Sequence, residues 1–172
     1  MCGPAPAKGK TSALHNLDVQ ILTQVKDGPS GSKELNRVIE SDYMVRQPKI
    51  EDWGLSIGSK VMWLKNDYSK VPQLDANGNP VTDQITGQPI CSGFMNGSLG
   101  VLMKSHQKGV WVKFDDGAED VVTPADLEKL THGWAISVHK AQGVAFRRVI
   151  IPVVRSKLLD RTLLYTAITR AG

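Results

Sequence analysis

Residues 133–172, GWAISVHKAQGVAFRRVIIPVVRSKLLDRTLLYTAITRAG, decide how the rest of the chain is read. A short apolar run precedes Ser137, a second runs over 149–154, and a helix-sized segment covers 163–171. Strand-sized apolar runs alternating with helix-sized segments predict α/β units on a parallel sheet. On such sheets polar functional groups gather where strands end and helices begin. Ser137-Val138-His139-Lys140-Ala141-Gln142-Gly143 stands at one such junction, and Tyr165-Thr166-Ala167-Ile168-Thr169-Arg170-Ala171 ends the last segment.

Working outward, the 172 residues are enough for one ordinary domain or two small ones. With 41% hydrophobic and 22% charged residues, a folded core is expected and global disorder is not. The apolar runs are too short to cross a bilayer and no signal-peptide pattern is present, so no membrane partner is expected. Cys2 and Cys91 are the two cysteines, and no Cys/His spacing suits zinc, so no metal site is expected. A reducing, cytoplasmic setting is the plain reading. A net charge of +4 and a pI near 9.1 favour a polyanionic partner without demanding one.

Ahead of the opening stretch, residues 1–16 are rich in Pro, Gly and Ala and read as a flexible lead. Gly9-Lys10-Thr11 invites a phosphate-loop reading, but Pro4 stands where the first glycine belongs and neither a strand nor a helix frames it. Residues 19–25 alternate and predict a strand, residues 26–31 a turn cluster, and residues 33–41 a short helix capped by Ser32. From residue 57 short β-rich segments follow at 58–64, 100–104, 110–114 and 120–123, with Asp115-Asp116-Gly117 as a turn. Strands so closely spaced suggest a small closed barrel, because closure hides sheet edges. The connection over 66–93 carries a hairpin turn at 75–80 and reads as an idle loop, a surface hairpin or an arm that touches a polyanionic partner.

The two motifs in residues 133–172 together resemble motifs V and VI of superfamily 1 DNA helicases, nearest to the RecD/TraA and Pif1-like branch. In that branch a His-Lys-(Ser/Ala)-Gln-Gly segment precedes a strand and a Tyr-(Thr/Val)-Ala-(Ile/Leu)-(Thr/Ser)-Arg-Ala segment follows it. Leu35-Asn36-Arg37 resembles a helix of the same family, although Asn36 and Arg37 read equally as exposed helix residues. Residues 60–68 and 94–101 look like its SH3-like 2B insertion. The resemblance implies an α/β fold: a partial RecA-like domain of the P-loop NTPase type (2A), interrupted by a small SH3-like β-barrel (2B). Residues 17–57 and 131–172 would form the two 2A segments, and 58–130 the 2B barrel.

What the resemblance implies for the site is specific. Arg170 would act as the arginine finger at an ATP γ-phosphate, where a fixed, planar cation stabilises the transferring group. Gln142 and Gly143 would face the nucleotide with it. Ser137, His139 and Lys140 would touch the DNA backbone, and Tyr68, Asn96 and Lys65 would contact DNA from the barrel. Ala145 stands where many relatives carry a ribose-holding Glu. Lys60, Lys65, Lys70, Lys104, Lys108 and Lys113, interleaved with Trp63, Trp111 and Tyr68, would follow the phosphates while exposed aromatics stack bases; Trp63 and Trp111 read mainly as core. The expected function is the C-terminal part of an ATP-dependent 5′–3′ DNA helicase. ATP and Mg²⁺ would be held in the full motor, with single-stranded DNA and the missing first RecA-like domain as partners. Recombination, repair or conjugation would be the setting. The chain by itself is expected to be inactive as an ATPase. The alternative is a non-catalytic nucleic-acid-binding or protein-interaction module.

Overall fold

The computed structural model describes residues 17–50, 53–153 and 161–171. The lead expected over residues 1–16 lies outside them. The chain order is β1 (Val19–Thr23), α1 (Ser32–Val38), a π-turn (Ile39–Tyr43), β2 (Lys49–Ile50), β3 (Leu55–Ser56), β4 (Lys60–Trp63), β5 (Leu99–His106), β6 (Gly109–Phe114) and β7 (Glu119–Val122). A 3₁₀ turn (Pro124–Lys129), β8 (Leu130–His132), β9 (Ala135–Ser137), a second 3₁₀ turn (Val138–Ala141), β10 (Arg148–Ile150) and α2 (Arg161–Ile168) follow.

Two main sheets result. The first is parallel, with order β10-β1-β9. Its central strand β1 is buried over residues 20–23, as a strand flanked and covered on both sides must be. The turn after β1 is tight: the Ser32 and Lys33 amides donate to the Val25 and Lys26 carbonyls at 3.1 Å each. A Cβ at Gly31 would lie 2.6 Å from the Asp27 backbone, so only glycine fits there.

The second sheet is antiparallel, with order β7-β6-β5-β4-β8. Strand β6 alternates buried and half-buried residues, the period-two pattern of a one-sided sheet. Its core holds Trp63, Phe94 and Phe114, with Trp63 edge-on to Phe94 at 4.9 Å and to Phe114 at 6.3 Å. The closed barrel expected from the strand spacing does not form. The edge strands β7 and β8 do not pair with each other, and the 3₁₀ turn at Pro124–Lys129 stands between them. Side chains satisfy that edge instead: Lys70 Nζ donates to the Val121 carbonyl at 3.2 Å and to Asp126 at 2.7 Å. An edge blocked by a buried ion pair needs no strand to close it.

A second apolar cluster joins the two sheets. Leu22, Ile136 and Val138 of the parallel part meet Met62 and Leu99 of the antiparallel sheet, with Ala141, Phe146 and Ala167. Segment 66–93 is a paired arm with bridges Pro72–Cys91, Leu74–Pro80 and Thr82–Pro89. Its turn at 75–80 forms as expected, with the Asp75 amide bonded to the Asn79 carbonyl. Among the described residues no helix is long and apolar enough to cross a membrane.

Candidate nucleic-acid interface

Strands β1 and β9 run parallel as neighbours, so their carboxyl ends coincide: Thr23 registers with Ser137. The chain leaves β1 through residues 26–31 into α1, and it leaves β9 directly into the 3₁₀ turn Val138–Ala141. Both exits open on a cleft of about 420 Å³. Lys26, Ser32 and Lys33 line it from the first exit, Ser137 and Lys140 from the second, and Met62, Leu64, Thr131 and His132 form the wall opposite. Three ammonium groups and three hydroxyls in one cleft suit an anion with several oxygens. Lys33 is engaged by Asp27 at 2.6 Å, which holds the Asp27 carboxyl below its usual range. Lys26 and Lys140 form no ion pair among the described residues, so their charge is open to a ligand. No group of acidic, His or Cys side chains among the described residues could hold a metal ion.

The sequence-expected residues divide. Ser137 and Lys140 line the cleft, whereas His139 is exposed and does not. Gln142 and Gly143 are exposed past the 3₁₀ turn, and Gly143 has a φ of +83°, which favours glycine. Arg170 follows α2 and is half-buried. Its guanidinium donates to the Thr166 carbonyl at 3.3 Å and to the Thr169 hydroxyl at 3.4 Å, and no carboxylate pairs with it among the described residues. The Phe146 amide donates to the Arg170 carbonyl at 2.7 Å, docking the segment of Arg170 onto the one that follows Gly143.

Tyr68, Asn96 and Lys65 are exposed and stand apart from the lining of the cleft. Asn66 unites two of them, its amide donating to the Tyr68 hydroxyl at 3.2 Å and its oxygen accepting the Asn96 amide at 2.8 Å. Other expectations change. Lys60 cannot follow a phosphate backbone: it is wholly buried, and its Nζ donates to the Val19 carbonyl at 3.0 Å between the two sheets. Lys70 is likewise committed to Asp126. Trp63 is core, but Trp111 lies on the outer face of β6, its ring 5.7 Å from Lys104 Nζ and 5.9 Å from the His106 ring.

Asn36 is the residue that sequence reasoning undervalued. Far from exposed, it is buried, donating from Nδ2 to the Ala135 carbonyl and accepting the Ala135 amide at Oδ1, both at 2.8 Å. The side-chain amide thus pairs with β9 as another strand would. Arg37 is exposed and pairs with Glu34 at 2.6 Å. Lys26 and Ser32 also line the cleft and were not among the expected residues, although the strand-end rule that selects Ser137 applies equally to the exit of β1.

Comparison with known proteins agrees with this fold. Residues 132–172 match the UvrD-like helicase C-terminal domain. The chain is 29% identical over 157 residues to the ATP-dependent RecD2 DNA helicase of Deinococcus radiodurans, covering 89% of this chain and 19% of that protein. It is 30% identical over 156 residues to the RecD subunit of the RecBCD enzyme of Buchnera aphidicola subsp. Schizaphis graminum, covering 88% of this chain and 23% of that one. This chain therefore spans about a fifth of the length of these relatives. A solved structure concerning DNA unwinding at forked duplex DNA by two coordinating Pif1 helicases superposes with a TM-score of 0.53 at 22% identity, over 90% of this chain and 37% of that one. That likeness supports a mixed α/β fold of the Pif1 kind. The similarity is to the C-terminal portion of a superfamily 1 DNA helicase.

Proposed function

We propose that this chain forms the C-terminal part of an ATP-dependent DNA helicase of the RecD/Pif1-like type, and that its cleft holds the backbone of single-stranded DNA. The observation that carries the reading is the meeting of Lys26, Ser32, Ser137 and Lys140 at the paired carboxyl ends of β1 and β9. Ammonium groups and hydroxyls there suit phosphate oxygens, which carry no sequence information, as a translocating motor requires. Lys65, Tyr68 and Asn96 extend the track along the antiparallel sheet, the counterpart of the SH3-like 2B insertion, with Tyr68 offering a stacking face.

On the nucleotide side, Arg170 donates to neutral acceptors alone among the described residues, so its guanidinium fits a phosphate. ATP with Mg²⁺ supplies the phosphoryl transfer that drives the motor. A first RecA-like domain, with the phosphate loop, would hold them against Gln142, Gly143 and Arg170. The Phe146–Arg170 hydrogen bond couples that side to the segment carrying Lys140. By family resemblance the step runs 5′ to 3′, in recombination, repair or conjugation.

A second reading, protein interaction, is favoured at one place. Residues 71–103 contain Asp75 and Asp83 but no Lys, Arg or His. The only cation of the arm is Lys70, which Asp126 engages, so the arm offers little to a phosphate backbone, and its exposed Leu74 and Ile85 suit a protein surface better. The discriminating experiment is fluorescence anisotropy of labelled oligo-dT at low and moderate salt. Binding that weakens steeply with salt supports the helicase reading; no binding at low salt by the folded chain overturns it.

A further inference from the structure

The chain passes between the two sheets twice. It leaves the parallel part through β2, β3 and Ser59 into β4, and it returns from β8 through Gly133 and Trp134 into β9. One buried side chain grips both crossings. Glu40, on the π-turn after α1, accepts the Ser59 hydroxyl at Oε1 (2.5 Å) and the Trp134 indole Nε1–H at Oε2 (3.1 Å). Ser59 is itself fixed, because its Oγ accepts the Ser56 amide at 2.7 Å and its carbonyl accepts the Leu102 amide of β5 at 3.1 Å. On the return crossing the Gly133 amide donates to the Lys60 carbonyl at 2.7 Å, and Gln20 Nε2 donates to the Gly133 and Trp134 carbonyls at 3.1 and 3.0 Å.

These crossings carry the two walls of the cleft. Met62, Thr131 and His132 belong to the antiparallel sheet and Leu64 follows its strand β4, whereas Ala135, Ile136 and Ser137 belong to β9. Glu40 is bonded to the residue that precedes the first wall and to the residue that precedes the second. We infer that Glu40 is a positioning residue that sets the orientation of the antiparallel sheet against β9, and through it the width of the cleft that receives the nucleic-acid backbone. The inference rests on the single-stranded DNA reading for its ligand, but not for its geometry. Two buried bonds to one forked acceptor, at 2.5 and 3.1 Å, limit rotation between the parts. Apolar packing across Met62, Leu99 and Ile136 supplies adhesion without direction, since hydrophobic contact is non-directional.

The test compares the wild type with Glu40→Leu and Glu40→Gln. Residual dipolar couplings of backbone amides report the relative orientation of the sheets, and oligo-dT anisotropy reports the cleft. In the wild type one alignment tensor fits both sheets. In Glu40→Leu each sheet still fits a tensor of its own, the two tensors differ, and oligo-dT affinity falls on the order of 10-fold, as when a group supporting a site is removed. Glu40→Gln, which keeps an acceptor for Trp134 and a donor for Ser59, restores both readouts. A single tensor with unchanged affinity in Glu40→Leu overturns the inference, and so does altered orientation with unchanged affinity. Should Glu40→Leu fail to fold, Ser59→Ala and Trp134→Phe each remove one of the two bonds and decide the question in the same way. A wild type that binds no oligo-dT sinks the DNA reading alone, and the couplings still decide whether Glu40 sets the orientation.

Discussion

Asn36→Ala is the sharpest perturbation of the strand that carries Ser137. The change deletes two hydrogen bonds of 2.8 Å to Ala135, which is itself 2% exposed. It leaves a donor and an acceptor on β9 buried without those partners, each costing about 1–3 kcal/mol. Alanine's better helix propensity returns about 0.5 kcal/mol within α1. Lower-range costs fit two groups at the edge of a short strand, so the net loss is about 2–3 kcal/mol. For a chain of this size that lowers the melting temperature by about 4–12 °C. Thermal melts give the total, and amide hydrogen exchange gives the location: the Ala135 amide should exchange far faster in the variant, while the β5 and β6 amides keep their protection. A shift under 1 °C with Ala135 still protected would refute the pairing of Asn36 with β9.

The other predictions test separate parts of the molecule. Lys140→Ala should weaken oligo-dT binding and reduce the salt slope by about 0.7, the value for one phosphate contact to a single strand, with melting unchanged; titrations at several salt concentrations check it. Gly133→Ala should destabilise the chain by about 1–3 kcal/mol in urea, because a Cβ there would lie 2.8 Å from the Val61 backbone. For Asp126, burial pushes the carboxyl up, but bonds from Lys70, the Thr123 amide and hydroxyl, and Lys129 outweigh it and pull the pKa down to about 2. A folded pKa below the ordinary 3.8 gives stability that is present above pH 4 and lost as pH falls towards 2. After screening it amounts to about 1 kcal/mol, and Asp126→Asn should flatten that part of the stability–pH curve.

Much of the fold is legible in the sequence because it is written in period. The β-rich segment at 110–114 becomes β6 with alternating burial, the apolar run before Ser137 becomes β9, and Val149 and Ile150 of the second run lie in β10, both strands parallel to β1. The strand-end rule picks out Ser137 and Lys140, and both line the cleft. What period cannot carry is the destination of a polar side chain. Lys60 looks like surface charge, but its long apolar stem runs between the sheets until the ammonium meets the Val19 carbonyl. Asn36 and Glu40 sit on a seven-residue helix and the turn after it, and nothing beside them in sequence shows that Asn36 bonds to Ala135, 99 residues on, or Glu40 to Ser59 and Trp134, 19 and 94 residues on. Barrel closure failed as an expectation because strand count says nothing of an edge blocked by Lys70 and Asp126.

Amide chemical-shift mapping of the isotope-labelled chain with unlabelled oligo-dT locates the nucleic acid residue by residue. The largest shifts are expected at Lys26, Ser32, Ser137 and Lys140, with smaller ones at Lys65, Tyr68 and Asn96 and none over the arm between Gln73 and Ile90. Shifts confined to the arm, or to the outer face of β5 and β6 around Lys104 and Trp111, would contradict the cleft as the DNA track.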